Sequence, residues 1–297
     1  KTAFDKMINA KRGENGTAIS TAEEFAAMKA SGNYYLAADI TIDKTYAEVF
    51  TGTLDGKGHT VTTSVPMFSY MNGTVRNLTV NGDIVVKGTN NGAVSVQVTG
   101  NARFENIVVN ANLSGGERTG GLVGNSTGNV TITFIRCINN GNLEGTSTTA
   151  GLLSYMQGTT LIVDECVNNG KISSSSYAAG LVGRFGKDGA TMDFKCNITN
   201  SVNNGEVCVA TGRAAGILGR AVGNVMISGC INNGHIHPKT TSAAVNVGGI
   251  YGDSISEYTS GSTTVKTKNG FVITDCYNYG KIEGTNYVGG IVSRFPT

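Results

Sequence analysis

Tryptophan is absent from the chain, which removes the residue best suited to a flat sugar-stacking platform. Proline occurs three times in 297 residues, and none interrupts the repeated part of the sequence before Pro238, so strand ladders can run through it. Only 15% of residues are charged and the formal net charge is +2, which leaves no electrostatic footprint for nucleic acid or an anionic membrane. No apolar run approaches the eighteen or so residues that a membrane span requires. The charged start, residues 1–12, lacks the apolar stretch and cleavage site of a secretory signal, so any export signal is expected to have been removed or to lie outside this sequence. The six cysteines show none of the paired Cys-x-x-Cys spacing of a zinc site, and no cofactor is implied.

What is abundant is glycine, 42 residues of it, arranged in two recurring phrases. One reads Cys137-Ile138-Asn139-Asn140-Gly141-Asn142-Leu143 and returns at 166–172, 201–207, 230–236 and 276–282, with fainter copies at 78–84 and 107–113. The other reads Gly120-Gly121-Leu122-Val123-Gly124 and returns at 150–154, 179–183, 215–219, 248–252 and 289–293. A period of about thirty residues signals a solenoid, in which no repeat buries its own apolar face and stacking supplies the core.

With the cysteine or its equivalent set as position zero, apolar residues fall into columns. Val75, Phe104, Phe134, Val163, Ile198, Ile227 and Ile273 stand three before it, and Ile84 to Ile282 stand six after. Residues two apart in a strand share a face, so positions minus five, minus three and zero point into the core. Asn followed by Gly at plus three and plus four reads as a corner, the glycine being expected at positive φ. Asn81, Asn110, Asn140, Asn169, Asn204 and Asn233 are expected to stack and to hydrogen-bond along the ladder. Each coil is expected to hold three strands, the last formed by the Gly-Gly-Leu-Val-Gly phrase. These features predict an all-β fold, a single-stranded parallel β-helix, right-handed by the crossover rule, with a short N-terminal capping helix. Residues 1–72 read as the cap and an irregular first coil, with the helix running from Ser20 to about Lys29, and residues 73–297 as seven coils.

The repeated phrases, the Asn-x-Gly-x-Ile turns and the leading Thr53-Leu54-Asp55-Gly56-Lys57-Gly58-His59 resemble bacterial GLUG-motif proteins across nearly the whole chain. The resemblance implies an exported or surface-anchored bacterial β-helix, in some cases one associated with adhesion, and it implies no shared catalytic residues. Cysteine at position zero is not part of that motif.

Candidate chemistry is sparse. Cysteines at position zero share a column with Leu78 and Ile107, so they read as small reduced core residues. Cys208 falls seven after zero and reads as outward, in a column with His237 and Glu283 and beside Glu206 and His235; such a patch suits a nucleophile pair or a metal, against the plainer reading of a mixed polar surface. The outward acids Glu105, Asp164, Glu165, Asp193 and Asp275 do not converge, so the chain is expected not to be an enzyme. Tyr251, Tyr258, Tyr277, Tyr279 and Tyr287 cluster around an insertion at about 253–269 and are the candidate ligand-binding residues. The function expected is a stalk or adhesive module at the bacterial surface or outside the cell, meeting a surface protein or glycan of host or bacterium. A polysaccharide-binding or polysaccharide-cleaving β-helix and a subunit that stacks end to end are the alternatives.

Overall fold

The computed structural model describes residues 16–187, 193–241, 244–254, 257–260, 263–266 and 270–294. The coil carrying Cys137 shows the plan. Thr131–Ile135 and Ile138–Asn139 lie in a first sheet, Leu143–Gly145 in a second, Thr148–Ala150 in a third and Leu153–Met156 in a fourth. Each segment pairs in parallel with its counterpart one coil on, as Thr131 with Thr160, Leu143 with Ile172, Thr148 with Tyr177 and Leu153 with Val182. Among the described residues the four sheets hold 17, 6, 7 and 8 strands, all stacked in parallel, and the expected parallel β-helix is the fold observed. No described helix is long and apolar enough to cross a membrane.

Two expectations about the coil are corrected. The Gly-Gly-Leu-Val-Gly phrase is not a strand, because it straddles the bend between the third and fourth sheets. A Cβ added at Gly121 would lie 2.0 Å from the Gly151 carbonyl oxygen of the next coil, while Leu122 plugs the core beneath. The left-handed corner is also elsewhere. Of the glycines at plus four only Gly82 has positive φ, at 132°, and Gly170 does not; the recurring left-handed residues stand one before position zero, at Asn77, Asn106, Arg136, Glu165, Asn200, Gly229 and Asp275, with φ between 50° and 65°. That single-residue kink bends the first sheet in each of these seven coils and turns position zero inward.

The columns fill the interior as the alternation predicts. Cys137, Cys166, Cys196 and Cys230 are fully buried, Phe104 and Phe134 stack at 5.1 Å, and all six cysteines are free thiols. Burial raises the Cys137 and Cys196 thiols well above their ordinary range. The exposed asparagine ladder is present: Asn110 Nδ2 donates to Asn81 Oδ1 at 2.9 Å, and Asn140, Asn169, Asn204 and Asn233 each donate to the preceding asparagine at 2.8 Å. A second, buried ladder runs beside it. Asn139, Asn168 and Asn203 each donate at 2.8 Å to the asparagine of the following coil and at 2.9 Å to the glycine carbonyl two residues on.

Stacking reaches upstream of Thr74, through Thr17–Ile19, Asn33–Leu36 and Thr53–Asp55. The capping helix, α1, spans Ala22–Ala26, shorter than expected. Thr21 is its N-cap, accepting from the Glu24 amide at 3.2 Å, while Glu24 reaches back to the Ser20 amide at 2.6 Å. Phe25 packs 5.5 Å from Phe68 and Tyr46 donates to the Met28 carbonyl at 3.0 Å, so α1 lies over an aromatic group that closes this end of the core. Burial disfavours the Asp55 charge, yet bonds from Asn77, the Lys57 amide and Arg76 hold the carboxyl below its ordinary range.

Candidate functional site

The bend in the Gly-Gly-Leu-Val-Gly phrase sets the third and fourth sheets at an angle whose outer side is concave. In the third sheet the outward column reads Arg118, Thr148, Tyr177, Arg213 and Asn246 in successive coils. In the fourth it reads Asn125, Tyr155, Arg184, Arg220 and Asp253. The two columns interleave across the corner. The Arg184 guanidinium lies 4.6 Å from the Tyr155 ring centre and 5.8 Å from that of Tyr177. Arg118 sits 5.1 Å over Tyr155, and Arg213 and Arg220 each lie 5.6 Å from Tyr177. Arg220 donates to the Tyr177 hydroxyl at 3.0 Å, and Arg213 pairs with Asp253. Tyr155, Arg220 and Asp253 are buried beneath, whereas Arg118, Tyr177, Arg184 and Arg213 are half-buried at the surface. Among the described residues, four guanidinium groups and one carboxylate thus share a partly desolvated corner, where charge-assisted hydrogen bonds are strong.

The sequence-predicted tyrosines divide. Tyr251 is corrected from surface to core: it is fully buried, its ring 5.4 Å from Phe271, because its column continues Leu153, Val182 and Leu218. Tyr277 and Tyr279 are exposed and stack at 6.1 Å; Tyr287 is exposed beneath Arg294, at 5.1 Å. Tyr258 lies on the strand Glu257–Ser260 of an antiparallel hairpin within the insertion, and its side chain lies outside the described residues. Of the expected acids, Glu105 and Glu165 share Arg136 across adjacent coils. Glu105 accepts from Arg103 and Arg136, and Asp164 accepts from Thr199 and Asn200.

Cys208 stands on the outer face as expected, since Val207 and Val209 on either side of it enter the core, but it is only 4% exposed because His237, its rung partner, and Glu206 close over it. One ligand atom from each of Glu206, Cys208 and His237 lies within 4.8 Å of the others. Glu206 is held below the ordinary carboxylate range, first by Lys171 and then by His237. His235 belongs to a neighbouring pair instead, 2.6 Å from Glu283, with its ring stacked 4.3 Å from that of His237.

No protein-family model matches the chain, and no curated protein matches it. Solved structures do. A chain from Bacteroides ovatus with the provisional name immunoglobulin A1 protease aligns with a TM-score of 0.57 at 17% identity, covering 94% of this chain and 85% of its own. A structure named IgA1 protease aligns with a TM-score of 0.56 at 17% identity, covering 96% of this chain and 21% of its own. At that identity the likeness is one of fold. The resemblance to GLUG-motif proteins therefore rests on the repeated phrases. The expectation of a non-enzyme is corrected, since the same β-helix occurs in proteins that carry a protease name, and scattered acids on this scaffold do not argue against enzymatic work.

Proposed function

We propose that this chain is the β-helical part of an exported bacterial surface protein, and that the corner between its third and fourth sheets grips an acidic glycan. The observation that carries the reading is the Arg184 guanidinium held between Tyr155 and Tyr177, with Arg118 and Arg213 half-buried beside it. Stacking on aromatic faces orients a planar guanidinium at little entropic cost, and a row of oriented guanidinium groups suits a carboxylate-bearing polymer. Tyr177, half-buried at the corner, adds contact area at small entropic cost. Arg184 and Arg213 are half-buried on successive coils about 4.8 Å apart, so a polymer lying along the corner meets repeated cations. The protease names of the two structural neighbours support an exported setting.

Electrophoresis through gels containing polygalacturonate tests the reading. The protein should be retarded there and not in neutral dextran, and the retardation should weaken with salt. Arg118→Gln combined with Arg184→Gln should lower affinity at least tenfold while the circular dichroism spectrum is unchanged. Equal retardation in both polymers, or full retardation of the folded double variant, would overturn it.

A further inference from the structure

The geometry points to a divalent transition-metal site, of the zinc class, formed by Glu206, Cys208 and His237. It is separate from the arginine corner and does not depend on it.

The first observation is the placement. Cys208 and His237 are partners on adjacent rungs, and Glu206 precedes Cys208 by two residues on the same face, so stacking alone brings sulfur, nitrogen and oxygen donors within 4.8 Å. The second is the state of the imidazole. His237 Nδ1 lies 2.8 Å from the Pro238 carbonyl oxygen, which can only accept, so Nδ1 carries the proton. In a neutral ring the Nε2 lone pair then faces Glu206 Oε1 at 2.9 Å, acceptor against acceptor. A positive charge is needed between them, either a second proton on the ring or a metal ion. A carbonyl that fixes the protonated nitrogen of a histidine and aims the other is the usual orienting contact of metal-bound imidazole.

The donor set decides which ion. Thiolate and imidazole favour zinc over magnesium or calcium, and three protein ligands leave a fourth tetrahedral position open. Binding releases the thiol proton, after which thiolate, carboxylate and a dication sum to zero charge, a state tolerable for a buried sulfur. One group competes. Lys171 Nζ sits 2.8 Å from Glu206 Oε1 and has to swing outward, which its half-exposed side chain permits. His235 and Lys281 pair with Glu283 rather than with the three donors.

Cobalt titration of the reduced, tag-free chain provides the test. One equivalent of Co²⁺ should produce a near-ultraviolet sulfur-to-cobalt charge-transfer band with tetrahedral visible bands, and zinc should abolish them. Cys208→Ser should remove the charge-transfer band, and His237→Gln should weaken binding at least tenfold. Lys171→Gln should tighten it, a gain that misfolding cannot mimic, and Cys276→Ser should leave the spectrum as it is. A wild-type protein without the band, a band that survives Cys208→Ser, or unchanged affinity in both His237→Gln and Lys171→Gln would overturn the site and leave Glu206 and His237 as a simple ion pair.

Discussion

Glu165 occupies the left-handed region at φ 53°, where its column neighbours in other coils are mostly asparagine, glycine or aspartate. An ordinary L-residue pays roughly 1 kcal/mol there, and asparagine pays less. Glu165→Asn should therefore raise stability by about 0.5 kcal/mol, the loss of a half-exposed contact to Arg136 being minor. Gly170 is constrained by a different cause. A Cβ there would lie 1.9 Å from the Gly141 carbonyl oxygen of the preceding coil. Gly170→Ala should cost about 2 to 4 kcal/mol, against less than about 1 for Lys171→Ala. Thermal melting of the variants checks both, and a melting temperature for Gly170→Ala equal to that of wild type would contradict the rung-contact account. The periodicity revealed that a glycine was needed at this place, but its reason, proximity of backbones rather than φ, depends on the stacking distance and is not written in the chain.

Cys276 is the one half-buried thiol, and a hydrogen bond from Cys230 lowers it to about 7, while Cys230 is raised by the same contact. Because the thiolate is the nucleophile, iodoacetamide should label Cys276 first, with a rate that rises through about pH 7, and reach the other five only on unfolding. Peptide mapping that finds Cys137 or Cys196 labelled early in the native protein would contradict this.

Among elements, the two asparagine ladders look alike in sequence and differ in energy. Asn169 is exposed, so water replaces a lost bond, whereas Asn168 is fully buried and bonded to Asn139, Asn203 and the Gly170 carbonyl. Asn168→Ala strands polar atoms on both neighbouring rungs and should cost about 2 to 4 kcal/mol, against less than about 1 for Asn169→Ala. Chemical denaturation of the pair decides it, equal losses being the contrary result. The buried ladder was legible in principle, since asparagine stands two after position zero at Asn139, Asn168, Asn203, Asn232 and Asn278. The arginine corner was not. Its columns hold a different residue in nearly every coil, as in Asn125, Tyr155, Arg184, Arg220 and Asp253, so no repeat marks them. Reading the glycine phrase as one strand also flattened the angle that brings them together.

At the scale of the molecule, the stacked coils convert unrelated surface residues into continuous stripes, and two surface patches are the candidates for ligand contact. The exposed Tyr277 lies in the first sheet on the last described coil with Tyr279 just after it, and the interleaved Tyr177 and Arg184 lie in the third and fourth sheets, respectively. Ligand at the corner should slow amide exchange in the segments that hold it and leave Tyr277–Asn278 as before. Hydrogen exchange read by mass spectrometry, with and without polygalacturonate, distinguishes the two directly. Protection confined to Arg118–Gly120, Tyr177–Ala179, Val182–Phe185, Gly212–Ala215 and Leu218–Ala221 is the predicted result, and protection at Tyr277–Asn278 with none at these five segments would contradict the assignment.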